Sequence, residues 1–528
     1  MTIEATPTHA ELLCDYVPRW ARDTPDAVAI TYGEQTWTWS QWNHRIRSLT
    51  GALRAAGITR GDVIGFLDKN HPACLETTFA AAAIGAAVTV VNWRQAGDEL
   101  RHVLVDSGTR LLVVGAEFAD EVARLRDQIP GLERLVVLAT PGAADAPTGD
   151  DYESFLAAAA PSDRDAAVVE DDAALIIYSS GTTGRPKGVV LSQRALVAHT
   201  VNVADCFPFN AGDISLVAMP LFHLGGICYS FFGIRAGVAT IMTREPAAPA
   251  LVGALMSGAT HTFFVPPVIA GFLAAGPPAM GALSRLKTLG YGAAPMPLPL
   301  LRRALDACPD LDFVQVYGQT EVSGVATTLL PADHRDPARE HLLLSVGQPV
   351  AGMEVMVVDP VTAEPVAAGE QGEIWCRSAQ SMTGYLNRPD ATAETVTAQG
   401  WVRTGDIGRV DADGYVFVDD RIKDMIITGG ENVYGPEVER VLLDHPDVSD
   451  AAIIGVPDDT WGESVKAVVV APGDVDVEGI IAFCRERLAG YKCPRTVDVV
   501  AALPRNPSGK ILKRELRAGH WVGRDRAV

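Results

Sequence analysis

The sequence predicts an α/β protein: a large N-terminal α/β domain with parallel sheets, a β-rich subdomain, and a small C-terminal α/β domain. Three observations carry this reading. Residues 1–170 alternate helical apolar patterns with short β-branched runs, the signature of strand–helix–strand units. From Gly347 the texture changes to short β-rich segments with turns at Asp359-Pro360, Gly369-Glu370-Gln371-Gly372 and Asp411-Ala412-Asp413-Gly414, which reads as antiparallel sheet. Beyond a charged joint, Asp419-Asp420-Arg421-Ile422-Lys423-Asp424, the helix–strand alternation resumes. The boundaries expected are 1–420, a joint at 421–424, and 425–528.

The elements follow in order. A helix over 40–56 is capped by Ser40 and ends near Gly57. Strands are expected at 63–67, 87–91 and 110–114, with an amphipathic helix over 99–107. The run 77–91 is uncharged, but it is broken by Gly85 and is shorter than the roughly 20 residues a membrane span needs. It reads as a buried helix followed by a buried strand. Residues 140–151 read as a surface loop. Ser192 caps a helix running to 204, and 215–220 is strand-like. Strand–helix–strand follows over 240–267, then a strand at 286–289, a helix at 298–307 and a strand at 313–316. In the last part, helix 436–444 leads to strands 450–456 and 464–470, helix 477–489 and strand 496–500.

The chain has 528 residues and a formal charge of −21, which argues against a nucleic-acid binder or a protein held on anionic lipid. The eight cysteines show no Cys-x-x-Cys spacing, so neither a zinc ribbon nor a redox pair is indicated; scattered cysteines suit core positions in a reducing compartment. The N-terminus lacks a basic stretch followed by an apolar run, so a cytoplasmic protein is expected.

The stretch Ser179-Ser180-Gly181-Thr182-Thr183-Gly184-Arg185-Pro186-Lys187-Gly188 lies between two apolar runs and reads as strand, loop, strand. Four hydroxyls, three glycines and two cations in ten residues suit a phosphate chain. Glycine lets backbone N–H groups approach closely, and lysine supplies mobile charge. It is not a Walker loop, because Lys187 is followed by Gly188, and it is neither a dinucleotide fingerprint nor a nucleophile elbow. A second cationic feature lies at the other end of the chain. Between Arg485 and Arg517 stand nine cations, and Pro504-Arg505-Asn506-Pro507-Ser508-Gly509-Lys510 holds Lys510 at a loop tip.

These pieces in this order resemble the adenylate-forming superfamily of acyl- and aryl-CoA ligases, firefly luciferases and the adenylation domains of peptide synthetases. The carrying motifs are the run from Tyr178 to Gly188, Tyr317-Gly318-Gln319-Thr320-Glu321, Thr404-Gly405-Asp406, Asp420-Arg421-Ile422-Lys423-Asp424 and Pro507-Ser508-Gly509-Lys510. The texture of Gly429-Gly430-Glu431-Asn432-Val433-Tyr434 is similar to the bacterial acyl-CoA synthetase branch. The resemblance implies that a carboxylate attacks the α-phosphorus of ATP, giving an acyl-adenylate and pyrophosphate, after which the thiol of CoA displaces AMP. Both partners of the first step are anionic, so charge neutralisation and positioning are the main tasks.

The resemblance also implies roles. The loop residues Ser179, Ser180, Gly181, Thr182, Thr183, Gly184 and Lys187 would hold the outer phosphates of ATP. Glu321 and a loop threonine, Thr182 or Thr183, would bind Mg²⁺. Thr320 would touch the α-phosphate, and Tyr317 would stack on adenine with Gly292, Ala293 and Ala294 as its pocket floor. Asp406 would accept from the ribose hydroxyls with Arg421 nearby. Lys510 would bridge the α-phosphate and the attacking carboxylate. Lys423 would be the pivot of a mobile C-terminal domain, in a joint expected to stay solvated. After rotation, Gly429, Gly430 and Glu431 would face the pantetheine thiol, with Trp461, Lys492 and Arg495 helping to hold CoA. One departure stands out: Gly435 occupies the place of the family's usual proline, and Pro436 follows it.

His223 would sit at the mouth of the acyl pocket. Gly225, Tyr229, Leu289, Tyr291, Gln315, Gly318 and Val325 are expected as its walls. No buried cation appears among them, which disfavours a second carboxylate or a free amino acid. A fatty, aryl or cinnamyl-like acid stays open. The expected partners are therefore a small carboxylic acid, ATP, Mg²⁺ and CoA, in a monomer or homodimer. The alternatives are an adenylating enzyme with another acceptor, such as a separate carrier protein, an amine or an inorganic nucleophile, and a non-catalytic relative.

Overall fold

The structure, a computed structural model, describes residues 11–139, 149–179, 186–429, 431–473, 475–506 and 509–522. Four sheets organise them. The first has nine strands, with a parallel centre running from Asp312–Tyr317 through Thr288–Gly292, His261–Phe264, Ile214–Val217 and Ala239–Met242 to Val28–Tyr32. The second has eight strands, centred on the parallel set Ala87–Val90, Val63–Leu67, Thr109–Gly115 and Arg134–Leu138. The third is an antiparallel four-stranded sheet within 354–421, as the change of texture at Gly347 predicts. The fourth, of five strands within 426–500, has its own core built from Ile426, Val438, Leu442, Ile453, Val465 and Ile480.

The two large sheets share one core through buried helices. Every residue of Pro72–Ala82 is buried, as are nearly all of Leu224–Ala236. A helix apolar on all sides has no solvent face to offer, which explains the membrane-like look of 77–91. Among the described residues no helix is long and apolar enough to cross a membrane. A run of rings, Trp39, Trp42, Phe79 and Phe231, joins the helix on one sheet to the helix on the other, with centroids 5.9–6.0 Å apart. The one acid in the alanine-rich helix, Glu76, is 1% exposed and is matched by Arg45 at 2.7 Å and the Tyr152 hydroxyl at 2.7 Å. All eight cysteines are buried and unpaired.

Local signals were mostly decisive. Ser192 caps Gln193–Asn202 by accepting from the Ala195 N–H, as its position suggests. Ser40 does not cap its helix. Thr38 does, in a reciprocal box with Gln41 that satisfies two end groups at once, and the helix is Trp39–Ala55. The helix expected at 436–444 begins one residue earlier and is Gly435–Leu443. The loop expected at 140–151 lies largely outside the described residues.

Candidate active site

Two neighbouring parallel strands, Thr288–Gly292 and Asp312–Tyr317, pair with Gly292 opposite Val316. Their carboxyl ends therefore release the segments 293–295 and 317–321 side by side, where ligands of open α/β sheets bind. Close approach enforces the glycines. A Cβ on Gly292 would lie 2.2 Å from the Val316 carbonyl oxygen, and one on Gly318 would lie 2.1 Å from that of Gly324. Ala293 follows with φ +62°, a left-handed conformation rare for alanine and typical of ligand-holding turns.

Asp406 is the hub of this end. It stands opposite Arg421 in the antiparallel pair Val402–Val410 and Val416–Arg421. Its Oδ1 meets Arg421 Nε at 2.6 Å, and its Oδ2 accepts from the Tyr317 hydroxyl at 2.7 Å. The strand residues before it are clamped: the Thr404 hydroxyl donates to the Ile374 carbonyl at 2.6 Å, and the Gly405 N–H donates to Glu373 at 3.0 Å. Burial and the adjacent carboxylate hold the Tyr317 phenol well above its usual range, and Asp406 raises Arg421. Asp406 is 3% exposed, so the pair is a fixed charge arrangement. A carboxylate has about four acceptor sites, which leaves capacity for sugar hydroxyls.

Glu321 lies in the short turn Thr320–Val322, and its Oε1 accepts from the Tyr385 hydroxyl at 2.7 Å. Lys187 Nζ stands 4.9 Å from the centre of the same ring. Tyr385 thus couples the glycine-rich hairpin to Glu321, on a strand that pairs with Lys187–Ser192. That hairpin is antiparallel, with Ser179 opposite Lys187. Ser180, Gly181, Thr182, Thr183 and Gly184 lie outside the described residues. Behind the turn, buried Gln380 donates to the carbonyls of Val322 (2.8 Å) and Val325 (2.6 Å). Neither Tyr385 nor Gln380 is singled out by any local sequence signal.

Lys510 does not stand away from the rest of the chain. Its loop is tied by Arg505, which donates to the Gly509 carbonyl at 2.6 Å, and by Asn506, which accepts the Lys510 N–H at 2.9 Å. Gly509, at φ +84°, packs against Pro267, whose Cγ would be 2.7 Å from a Cβ there. Burial, then the nearby Arg421 charge, lowers the Lys510 ammonium to about 8; Asp406, Lys423 and Asp424 are its other charged neighbours. Lys187, Glu321, the Asp406–Arg421 pair and Lys510 therefore lie close to one another.

The expected acyl wall divides between two faces. His223 stands at the N-cap position of Leu224–Ala236 without a side-chain capping bond, and its buried Nε2 has no hydrogen-bond partner among the described residues. Burial and the charge of Arg94 push its pKa down to about 4, so the ring is neutral at pH 7. On the same helix, Gly225 faces Phe263, with its Cβ position 3.1 Å from that ring. Gly290 faces Phe207 and Phe263, at 2.6 and 3.1 Å. Tyr229 and Phe232 complete an aromatic wall with Phe207. Leu289, Tyr291 and Gln315 take the alternate positions of their strands and point to the opposite face. There Tyr291 is fully buried, with its hydroxyl 2.8 Å from His334 Nε2 and 3.3 Å from Gln315. They leave the wall because strand side chains alternate. Val325 is buried in the Gln380-anchored turn.

The expected thiol face lies on the fourth sheet. Gly429, at φ +60°, lies under Trp461, whose Cε3 is 2.6 Å from its Cβ position. Trp461 is 44% exposed, and Arg495 stacks on it at 4.9 Å. Glu431 lines a cleft of about 540 Å³ with Asp419, Tyr434 and Lys492, and Lys492 pairs with Glu437 at 2.7 Å. Gly430 lies outside the described residues. The joint is not solvated as expected: Asp420 and Asp424 are 6% and 8% exposed, because ion pairs and backbone donors enclose them.

The residues fit ATP and Mg²⁺. Among the described residues no three His, Cys, Asp or Glu side chains converge on a metal site. Mg²⁺ does not need such a cage, since it is commonly held by one or two carboxylates together with substrate phosphates, and Glu321 is a carboxylate beside the hairpin.

Comparison with known proteins agrees with this geometry. The family model described as "AMP-binding enzyme" matches residues 17–386, and "AMP-binding enzyme C-terminal domain" matches 437–510. A feruloyl-CoA synthase from Amycolatopsis sp is 40% identical over 94% of this chain and 97% of its own. The fatty acid–[acyl-carrier-protein] ligase ScoC of Streptomyces coeruleorubidus is 36% identical over 96% of each chain. ATP-bound MatB from Rhodopseudomonas palustris superposes with a TM-score of 0.87 at 26% identity, over 96% of this chain and 98% of its own. The chain therefore belongs to the AMP-binding enzyme family, as an ATP-dependent acid–CoA ligase that uses ATP, Mg²⁺ and CoA and forms carbon–sulfur bonds.

Proposed function

We propose that the acid is ring-bearing, that CoA rather than a carrier protein accepts the acyl group, and that the C-terminal unit, from about residue 425, moves between two positions during turnover. The observation that carries the cycle is the docking of the Lys510 loop on Pro267, beside Arg421 and Asp406.

In the first step a carboxylate oxygen of the acid attacks the α-phosphorus, the new O–P bond forms, and the bond to pyrophosphate breaks. Lys510 balances the charge that gathers on the α-phosphate and the incoming carboxylate. Lys187 and the hairpin would steady the leaving pyrophosphate, and Thr320 would touch the α-phosphate. Mg²⁺ at Glu321 and a hairpin threonine would supply further charge neutralisation. Asp406 and Arg421 hold the ribose, and Tyr317, anchored by its hydroxyl, offers its ring to adenine above Gly292, Ala293 and Ala294. Neutral His223 packs beside the carboxylate without competing for its charge. In the second step the Lys510 loop withdraws and the face with Gly429, Glu431 and Trp461 turns in. The CoA sulfur then attacks the acyl carbon, and AMP leaves with the bonding electrons. Trp461 stacked under Arg495 suits the adenine end of CoA.

The wall of Phe207, Tyr229, Phe232 and Phe263 supports a ring in the acid, since aromatic pairs add to burial, and the feruloyl-CoA synthase relative points the same way. The ScoC relative keeps the carrier protein as the alternative acceptor. Eight buried, unpaired cysteines support a reducing, cytoplasmic setting.

A panel of acids, scored by pyrophosphate release with mass detection of products, tests the reading. Cinnamyl-like and other aryl acids should give release and an acyl-CoA. Preference for saturated straight-chain acids would sink the ring assignment, and adenylate without thioester would transfer the acceptor to a carrier or amine.

A further inference from the structure

The joint is built as a clasp across the pivot. Asp420 ends on the strand Val416–Arg421, next to the residue that grips Asp406. From the other side of the joint, the Gly435 N–H donates to Asp420 Oδ2 at 2.8 Å. A Cβ on Gly435 would lie 2.5 Å from Lys513 Nζ, 3.3 Å from Asp420 Oδ2 and 3.4 Å from Glu439 Oε1. The small residue is therefore where an ammonium and two carboxylates converge. Lys513 pairs with Glu439 at 2.8 Å, and Arg517, one turn further along Lys513–Ala518, pairs with Asp424 at 2.7 Å. One helix face thus reaches both ends of the joint.

Gly435 opens the helix Gly435–Leu443. The N–H at that position normally has no helical partner, which is why proline is favoured there. In this chain proline comes one residue later, and the freed N–H is spent on Asp420.

We propose that Asp420, gripped by the Gly435 N–H and faced by Lys513, is a positioning residue that holds the C-terminal unit with Lys510 in the site. The inference rests on the two-position cycle. Asp420 belongs to the large unit, whereas Gly435, Glu439 and Lys513 belong to the turning one. Lys513 keeps Glu439 as its partner when the unit turns, so release breaks the bond to Asp420 without stranding the ammonium.

Gly435→Pro tests this. Tyr434 already has φ −100° and ψ 119°, the extended range that precedes proline, and Gly435→Ala, which adds the same Cβ against Lys513 Nζ but keeps the N–H, is the control that should retain adenylation. Adenylation, read by pyrophosphate exchange, should fall about tenfold, the scale of one lost charge-assisted hydrogen bond. Thioester formation from supplied acyl-adenylate and CoA should be unchanged or faster. Asp420→Asn keeps an acceptor for the N–H and should lose less adenylation. Equal changes in both half-reactions, or none in either with a wild-type melting profile, overturn the clasp. If Lys510→Ala fails to separate the half-reactions, the cycle itself is wrong. If it separates them and Gly435→Pro does not, only the clasp is wrong.

Discussion

Lys510→Ala protein should form acyl-adenylate about 10²–10³ times more slowly than wild type, the loss seen when one preorganised donor to a developing charge is removed. It should still convert supplied acyl-adenylate and CoA into thioester at nearly the wild-type rate. The asymmetry follows from the proposed cycle: the lysine lies among Arg421, Asp406 and Lys423 with its loop docked at Pro267, and would leave them when the C-terminal unit turns. Rapid-quench measurement of each half-reaction checks this, and equal loss of both would refute the two-position cycle. The same lysine sets a pH dependence. Its conjugate acid, lowered to about 8 by burial and the Arg421 charge, is the useful form. Adenylation should therefore decline as pH rises through about 8, while the second half-reaction keeps no such limb. Lys510→Arg, whose side chain stays charged, should remove the decline. A limb unchanged in the arginine variant would assign it to another group.

Asp406→Ala should be the most damaging single change to the nucleotide end. It strips the acceptor from the Tyr317 hydroxyl and leaves Arg421 without its carboxylate. Breaking a buried pair by removing one partner costs about 3–5 kcal/mol, much of it from the charge left behind. Arg421 is partly exposed, and the lower end of that range is expected. The variant should melt several degrees lower, and saturating ATP should restore little of the loss. Asp406→Asn keeps an acceptor for Tyr317 and should melt between the two, with a raised KM for ATP. An Asp406→Ala protein with wild-type melting and wild-type KM would show that the hub has no such role.

Much of this site is written locally. The motif at 317–321 combines turn chemistry with an apolar run, so its placement at a strand end follows from the pattern, whereas 404–406 lies inside the strand Val402–Val410. The helix Leu298–Ala307 was equally plain from its period. What escaped depends on which surfaces meet. Period two says that Leu289 and Tyr291 share a face, but not that the Gly290 face is the one packed under Leu224–Ala236. Tyr385 meets Glu321 across 64 residues, and nothing beside either residue announces it. The joint looked solvated because five of its six residues are charged, yet partners at Gly435 and Arg517 bury it. Thr38 displaced Ser40 as a cap because a reciprocal pair outweighs a single hydroxyl.

The buried cysteines bear on selectivity. Burial pushes every one of the eight thiols up, those of Cys14 and Cys376 to about 12. A thiolate, not a thiol, is the nucleophile toward an activated acyl group. At neutral pH the protein therefore presents almost no sulfur nucleophile of its own to the acyl-adenylate. Self-acylation and mixed disulfides with its co-substrate should therefore be disfavoured, leaving the reaction to the sulfur that CoA carries in.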